Sequence, residues 1–289
     1  MTKAPPDDPP NAGEAAYWSS PAGQKWVDHQ ESLDRLFGGI TEALLREALP
    51  QPGEHVLDLG CGTGATTFTF SRHIAPGGTI TGLDISPVML GLARTRAENA
   101  GAAGLVFREA DAQTFPFAPN SFDLLVSRFG CMFFSDPPRA FRNLRLAVRP
   151  GGRVWLATWS AMTENPWMAI PREIAVARLG APPKAAPNEP GPFAFADRDY
   201  AIGILTEAGF LDVEAAPRRL DLVAPDTIEE AGRLASHVGP AARVMSARNG
   251  TAEDAAAIAE DVSVALLPYQ GPHGLRVPTV INLFSARSP

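Results

Sequence analysis

A short apolar run that ends in alternating glycines constrains the fold of this chain more than any other feature. Residues 56–64 have the sequence VLDLGCGTG, in which a strand-like run carries Asp58 near its end. Gly60, Gly62 and Gly64 then remove side chains that would hold a ligand away from the backbone. The helix expected after the turn offers free N–H groups to an anionic ligand group. The segment therefore predicts a strand, a tight turn and a helix, with a nucleotide-like cofactor lying across the turn.

Strand-like and helix-like segments alternate through the first 160 residues. Ser86-Pro87 and Asp136-Pro137 each supply an N-cap residue followed by a proline at the first helical position. This alternation predicts an α/β fold, in which helices cover both faces of a parallel sheet. Five runs are typical of strands: residues 55–59, 79–84, 104–109, 122–127 and 153–159.

The remaining segments divide the chain into smaller parts. Residues 1–15 are rich in proline and aspartate and predict a disordered tail, with order beginning near Tyr17. Residues 16–50 predict a helical cap, and residues 51–289 the main domain. Within that domain, a proline-rich stretch at about 160–200 predicts a lid, and a helical insertion at about 226–268 precedes the last strand. In this insertion, Asp226 with Glu229 predicts a helix N-terminus.

Composition excludes several classes of protein. The chain has 289 residues, with 25 basic against 32 acidic side chains, and a net charge of −7 argues against a dedicated nucleic-acid or anionic-membrane binder. Cys61 and Cys131 form no disulfide framework and no Cys/His cluster of metal spacing, so we expect no metal site and a reducing compartment. No apolar run reaches the length of a membrane span, so we expect a cytoplasmic protein without an anchor. The sequence specifies no oligomeric state.

Spacing alone leaves two interpretations of the glycine turn open. Gly60, Gly62 and Ala65 satisfy the relaxed dinucleotide fingerprint GxGxxG/A, and Asp84 lies where a ribose-binding acid belongs. A nicotinamide-binding dehydrogenase therefore competes with other nucleotide-cofactor proteins at this point.

Four further motifs follow the glycine turn, and together they resemble a known family. GLDIS at 82–86, EADA at 109–112, FDLLVS at 122–127 and RPGG at 149–152 follow VLDLGCGTG in the order typical of class I S-adenosylmethionine-dependent methyltransferases. A dehydrogenase would not be expected to reproduce these four. The resemblance implies a Rossmann-like sheet of order 3-2-1-4-5-7-6 with its last strand antiparallel, an N-terminal helical cap and helical insertions. It also implies S-adenosyl-L-methionine as cofactor and S-adenosyl-L-homocysteine as product.

The resemblance implies a role for each matched position. Asp58 would orient the methionine amino group, and Asp84 would accept both ribose hydroxyls. The backbone from Gly60 to Gly64 would pack against the cofactor, and Ser127 would lie beside its methionine end. The full set of cofactor residues implied is Asp58, Gly60, Cys61, Gly62, Gly64, Asp84, Ile85, Met89, Asp111, Ala112 and Ser127, of which Ile85, Met89, Asp111 and Ala112 would surround the adenine.

Less specific segments indicate the acceptor. YWSSPAGQKW, SRFGCMFFSDP, ENPW and PGPFAFAD are similar to segments of a quinone-biosynthesis-like branch that methylates small molecules. We therefore expect methyl transfer to an O, N or C atom of a small, partly apolar metabolite, with Trp26, Phe129 and Trp167 as acceptor contacts. None of the five histidines lies in a recognisable catalytic motif, and His29, in the cap, is the candidate base.

Two alternatives to small-molecule methylation remain. Four arginines along one side of a predicted helix, Arg139, Arg142, Arg145 and Arg149, are the one feature that favours an RNA or protein methyltransferase. The lack of an identifiable base favours a protein that binds the cofactor without transferring a methyl group.

Overall fold

A single β-sheet forms the centre of the molecule. The computed structural model describes residues 10–184, 186, 188–225 and 227–289. The five predicted strand-like runs correspond to the first five strands. The strands are β1 (His55–Leu59), β2 (Thr79–Asp84), β3 (Leu105–Glu109), β4 (Phe122–Arg128), β5 (Val148–Trp159), β6 (Leu211–Val223), β7 (Gln270–Gly271) and β8 (Gly274–Arg287).

The strand order confirms the predicted fold class. The strands lie in the order β3-β2-β1-β4-β5-β8-β6, and the two-residue β7 pairs with β8. Strands β1 to β5 are parallel, with Val56 opposite Ile80 on one side and Leu124 on the other. Strand β8 is antiparallel to β5 and β6. Counted over the seven long strands, this is the order 3-2-1-4-5-7-6.

Helices connect the parallel strands and surround the sheet. The predicted N-caps are present, because the Ser86 hydroxyl accepts from the Met89 N–H and the Asp136 carboxylate accepts from the Arg139 N–H. The α-helices are α1 (Ala12–Trp18), α2 (Pro21–Asp28), α3 (Gln30–Leu36), α4 (Gly38–Ala48), α5 (Ala65–Ile74), α6 (Pro87–Asn99), α7 (Pro137–Ala147), α8 (Pro166–Leu179), α9 (Arg198–Glu207), α10 (Ile228–His237), α11 (Pro240–Ala247) and α12 (Ala252–Leu266).

Helical structure begins earlier than the sequence predicts. Helix α1 starts at Ala12, so the last part of the predicted tail is helical, and residues 1–9 lie outside the described part. The reason is a polar anchor: the buried Asn11 donates from Nδ2 to Asp111 Oδ1 at 2.8 Å and accepts from the Ser135 N–H at 2.8 Å. The spacing of apolar residues carries no information about such a polar contact, so the sequence did not predict the early start of this helix.

The first half of the predicted lid is a packed helix. Helix α8 has Pro166 in its first turn, where proline is tolerated, and Pro171 in its interior. It packs against α11 and α12 and buries Trp167. The proline-rich composition that predicted a lid is therefore compatible with a helix, because Pro166 lies at a permitted position. Between α8 and α9, residues 185 and 187 lie outside the described part.

Helices α10 to α12 occupy the chain between β6 and β8. Thr227 caps α10 by accepting from the Glu230 N–H, whereas Asp226, predicted to mark this helix start, lies outside the described residues. Thr251 and Asp254 form a reciprocal capping box at the start of α12. In the described part of the chain, every helix is too short or too polar to cross a bilayer.

Candidate active site

A cavity opens where the parallel strands end. It is partly open to solvent, and its walls come from the loops after β1, β2, β3 and β4, from the end of β5, from the N-terminal helices and from α8 and α11. Ligands of open α/β sheets bind at the carboxyl ends of the strands, so this is the expected location for a site.

The glycine turn brings two backbone segments into direct contact. Gly60, Gly62 and Gly64 all have positive φ, at 66°, 55° and 92°. A Cβ on Gly60 would lie 2.4 Å from the Gly130 Cα, and one on Gly130 would lie 2.5 Å from the Leu59 carbonyl oxygen. Only glycine fits at both positions, so the turn after β1 rests on the turn after β4. Gly130 was not singled out from the sequence, because it stands alone in SRFGCM.

Asp84 lies at the end of β2 with its carboxylate held in place. Its Oδ2 accepts from the Gly62 N–H at 2.7 Å and its Oδ1 accepts from the Ser86 N–H at 2.9 Å. Burial raises the pKa of Asp84, and these backbone donors oppose the rise. Each carboxylate oxygen has a second lone pair, so the group retains capacity for two further donors from the cavity.

Asp58 has an oxygen without a partner. It is almost fully buried, and its Oδ2 accepts from the Thr67 hydroxyl at 2.6 Å. Its Oδ1 is buried and has no hydrogen-bond partner among the described residues. Burial raises the pKa of Asp58 to about 6. A buried carboxylate oxygen without a hydrogen-bond partner suits a cationic donor such as an amino group.

The predicted adenine residues line the other end of the cavity. Asp111, after β3, accepts from the Gln113 N–H and from Asn11. The apolar residues Ile85 and Met89 also line the cavity. The residues on this side of the cavity wall are Gly60, Cys61, Gly62, Asp84, Ile85, Met89, Asp111 and Ala112.

A chain of aromatic rings, Tyr17–Trp18–Trp26–Phe37–Phe129–Trp159, forms the aromatic wall of the cavity. Consecutive ring centroids lie 4.3 to 6.2 Å apart. Phe129 has a positive φ of 71°, a strained conformation for a bulky residue, and stacks on Trp159 at 4.3 Å. Trp26 and Phe129, predicted as acceptor contacts, are both members of this wall.

Five predicted residues lie outside the cavity lining, and one of them is Asp58, which is buried in β1. Gly64 caps α5, and the Ser127 hydroxyl is buried and donates to the Leu59 carbonyl at 2.8 Å. Trp167 is 2% exposed and belongs to the hydrophobic core, while its neighbour Met168 reaches the cavity. His29 lies 5.7 Å from His237, measured between ring centroids. The roles expected for these five through direct contact therefore have no support from their positions.

Polar residues that the sequence did not indicate also line the cavity. Glu14 accepts from the Trp18 indole N–H at 3.1 Å, and burial raises its pKa while Arg243 lowers it. Arg243 lies over the Tyr17 ring at 4.9 Å. Arg128 ends β4. Glu14 falls in the predicted tail and Arg243 in a helical insertion, so neither lies near a motif. Among the described residues, no group of three His, Cys, Asp or Glu side chains is placed to hold a metal ion.

The amino-acid sequence of the chain is similar to those of known proteins. Residues 50–179 match the family described as "Methyltransferase domain". The nocamycin O-methyltransferase of Saccharothrix syringae is 29% identical over 66% of this chain and 71% of its own length. The ubiquinone/menaquinone biosynthesis C-methyltransferase UbiE of Pasteurella multocida is 36% identical over 41% of this chain, and the match spans only 44% of that relative.

Solved structures share the fold. The [4+2]-cyclase SpnF matches with a TM-score of 0.54 and 20% identity over 90% of this chain and 83% of its own. Phosphoethanolamine N-methyltransferase 2 of Haemonchus contortus, solved with S-adenosyl-L-methionine, matches with a TM-score of 0.53 and 20% identity over 87% of this chain and 52% of its own. Over residues 50–179 the chain is thus similar to class I S-adenosylmethionine-dependent methyltransferases in motifs, strand order and sequence, and this similarity indicates an enzyme that uses S-adenosyl-L-methionine.

Proposed function

We propose that the protein transfers a methyl group from S-adenosyl-L-methionine to an O, N or C atom of a small, partly apolar metabolite. The observation that carries the proposal is the division of one cavity into two parts. Acidic groups and bare backbone at the ends of β1, β2 and β3 line one part, and the aromatic wall, which includes Phe129 after β4 and Trp159 at the end of β5, lines the other. The first part suits a nucleoside and the second an apolar acceptor.

The acidic groups position the cofactor along the strand ends. Asp111 and Ala112 contact the adenine, Asp84 accepts the ribose hydroxyls, and Asp58, outside the cavity lining, orients the methionine amino group directly or through water. The partnerless Oδ1 of Asp58 and the free lone pairs of Asp84 support these assignments. When bound, the cofactor supplies a methyl group on a positively charged sulfur. An aromatic face attracts such a cation and leaves no nucleophilic atom of its own in its path.

The aromatic wall aligns the acceptor and excludes water. Displacement at a methyl group needs the attacking atom in line, so the main contribution of the protein is orientation and a dry site. Trp26 and Phe129 form the acceptor surface. A hydroxyl or amine acceptor must also lose a proton, and Glu14, a cavity carboxyl with a raised pKa, is placed to accept it. Its position in the cavity makes Glu14 a better candidate base than His29.

The arginine pattern gives little support to an RNA or protein acceptor. Arg142 pairs with Glu207 of α9 at 3.0 Å, and Arg149 pairs with Asp123 at 2.7 Å. Both arginines thus have carboxylate partners within the chain. A small-molecule acceptor also agrees with the relatives, one named for nocamycin and one for quinone biosynthesis.

Binding without methyl transfer is the second candidate function. The similarity to SpnF, a [4+2]-cyclase, supports this candidate because one fold can carry different activities. Product analysis with a labelled methyl group distinguishes the two candidates. We expect label in small organic products when the protein is incubated with aromatic and polyketide-like phenols, amines and enols. A protein that binds S-adenosyl-L-homocysteine yet labels nothing would support the second candidate.

Calorimetry tests the cofactor site directly. We expect the wild type to bind S-adenosyl-L-homocysteine and not NAD. Asp84→Ala removes charge-assisted hydrogen bonds worth about 1.5–3 kcal/mol, so we expect its affinity to fall roughly 10- to 150-fold. Asp261→Ala, at an exposed position on α12, is the matched control and should bind as the wild type does. Unchanged affinity in Asp84→Ala would contradict the assignment of this residue.

A further inference from the structure

Arg243 is a charged residue of the cavity to which the proposed function gives no role. It lies near the start of α11, and its backbone N–H donates to the Gly239 carbonyl at 3.3 Å. Gly239 and Arg243 are four residues apart and both line the cavity, so one face of this helix forms part of the cavity wall. Arg243 is half-buried there. The insertion between β6 and β8 therefore contributes a permanent positive charge to the cavity.

Two neighbours hold the guanidinium of Arg243 in position. Its central carbon lies 4.9 Å from the centre of the Tyr17 ring, which is a cation–π contact. A Cβ placed on Gly191 would lie 3.7 Å from Arg243 Nη1, so the backbone at Gly191 is also close. In the described part of the chain, the guanidinium forms no ion pair and no hydrogen bond. Its five N–H donors are therefore available to a ligand.

Glu14 is the acid of the cavity wall that interacts with this charge. Arg243 lowers the pKa of Glu14, while burial raises it. The Glu14 carboxylate accepts its hydrogen bond from the Trp18 indole N–H at 3.1 Å, and not from Arg243. A ligand at Arg243 therefore meets one positive and one negative group of the protein. Because the charge of Glu14 opposes a dianion more strongly than a monoanion, a carboxylate fits this pair of charges better than a phosphate does.

Aromatic rings continue the cavity wall beyond Arg243. The Tyr17 and Trp18 ring centroids lie 5.1 Å apart, and those of Trp18 and Phe133 lie 5.3 Å apart. All three rings line the same cavity as Arg243. A cation at the edge of an aromatic surface is complementary to a ligand that has an apolar body and an anionic end. A planar carboxylate can accept two parallel N–H bonds from one guanidinium.

We propose that the methyl acceptor is an aromatic or similarly apolar acid whose carboxylate binds Arg243. This inference rests on the proposed function, because it names the class of acceptor that enters the same cavity. Tyr17 holds the guanidinium, and the rings of Tyr17, Trp18 and Phe133 contact the apolar body of the acid. The carboxylate of the cofactor is the competing partner for Arg243, and the experiment distinguishes the two.

The experiment compares acids with their neutral amides. The probes are benzoate, 2-naphthoate and biphenyl-4-carboxylate, each with its carboxamide, and calorimetry measures their binding to protein saturated with S-adenosyl-L-homocysteine. We expect the wild type to bind at least one acid about 10-fold more tightly than its amide, at the lower end for a charge-assisted hydrogen bond because Arg243 is half-buried. Arg243→Gln should abolish this preference and keep the wild-type affinities for the amides and for S-adenosyl-L-homocysteine. Arg248→Gln, at an exposed position directly after α11, is the matched control and should retain the preference.

Two results would overturn the inference directly: no preference for any acid over its amide in the wild type, or a preference that persists in Arg243→Gln. Weaker S-adenosyl-L-homocysteine binding by Arg243→Gln at an unchanged thermal midpoint would make the cofactor the partner of Arg243. Equal weakening of acids and amides together with a lower thermal midpoint would show that Arg243 only supports the fold.

Arg243→Lys provides a second variant that keeps the positive charge. It should retain part of the acid preference at the wild-type thermal midpoint, and loss of the whole preference at that midpoint would mean that charge does not select the acid. Failure of the wild type to bind S-adenosyl-L-homocysteine would instead contradict the proposed function itself, and the acid preference is then measured on the ligand-free protein.

Discussion

The two ends of the cavity are built in different ways. The cofactor end consists of backbone turns and carboxylates that directly follow β1, β2 and β3. The acceptor end is a wall of large side chains contributed by segments as distant as Tyr17 and Trp159. Backbone geometry therefore determines the shape of the cofactor end, and side-chain packing determines the shape of the acceptor end. We therefore expect substitutions at the cofactor end to affect the protein by straining its backbone. At the acceptor end, we expect them to act by removing side-chain volume or contacts.

Two tryptophans near the acceptor end should respond differently to truncation. Trp167 is fully enclosed in the core, so Trp167→Ala should lower the free energy of unfolding by about 3–5 kcal/mol. Trp26 lines the cavity, so Trp26→Ala should cost less stability and impair methyl transfer more than S-adenosyl-L-homocysteine binding. Urea unfolding and calorimetry measure the two effects. Equal destabilisation in both variants would mean that Trp26 is a core residue and not part of an acceptor surface.

Glycine-to-alanine substitutions test the role of strain at the cofactor end. Gly53 and Gly60 both have positive φ, at 87° and 66°. A Cβ on Gly53 meets nothing within 4 Å, whereas one on Gly60 meets the Gly130 backbone. We expect Gly53→Ala to cost about 1–3 kcal/mol from strain, and Gly60→Ala to cost about 1–3 kcal/mol more. The same denaturation experiment measures both.

The turn contact also predicts an effect on binding. Gly60→Ala must displace either the glycine turn or the turn after β4, so S-adenosyl-L-homocysteine affinity should fall. Gly53→Ala lies away from the cavity and should keep that affinity. If the two variants had the same stability and the same affinity, the contact between Gly60 and Gly130 would be unimportant.

The partnerless oxygen of Asp58 should produce a smaller, pH-dependent effect. Its pKa is raised to about 6, so ionisation lowers the stability of the free protein as pH rises through 6. A cationic amino group favours the ionised form, so S-adenosyl-L-homocysteine affinity should change in the opposite direction. We expect affinity to fall by up to about tenfold for each pH unit below 6. Calorimetry between pH 5 and 7.5 measures this profile.

Asp58→Asn separates this titration from that of Asp84. The amide does not ionise, so the part of the pH dependence that comes from Asp58 should disappear in the variant. A profile identical to that of the wild type would assign the titration to another group.

The same difference between backbone geometry and side-chain packing explains why the sequence predicts the cofactor end of the cavity better than the acceptor end. The turn from Gly60 to Gly64 and the acid at Asp84 are determined by neighbouring residues, so motif and spacing indicate them. The aromatic wall depends on contacts across more than a hundred residues, and no local pattern records that Phe129 stacks on Trp159. The anchor of Asn11 on Asp111, 100 residues away, was hidden for the same reason.

The hydrogen bond from Asn11 to Asp111 should couple the docking of helix α1 to cofactor binding at Asp111. One oxygen of Asp111 accepts from Asn11, and the same carboxylate is assigned to the adenine. Coupling free energies are reciprocal, so whatever cofactor binding does to the docking of α1, docking of α1 does to cofactor affinity. We therefore expect an affinity tag fused before α1 to change the affinity for the cofactor. The cofactor affinity should therefore be measured separately for the tagged and the untagged protein.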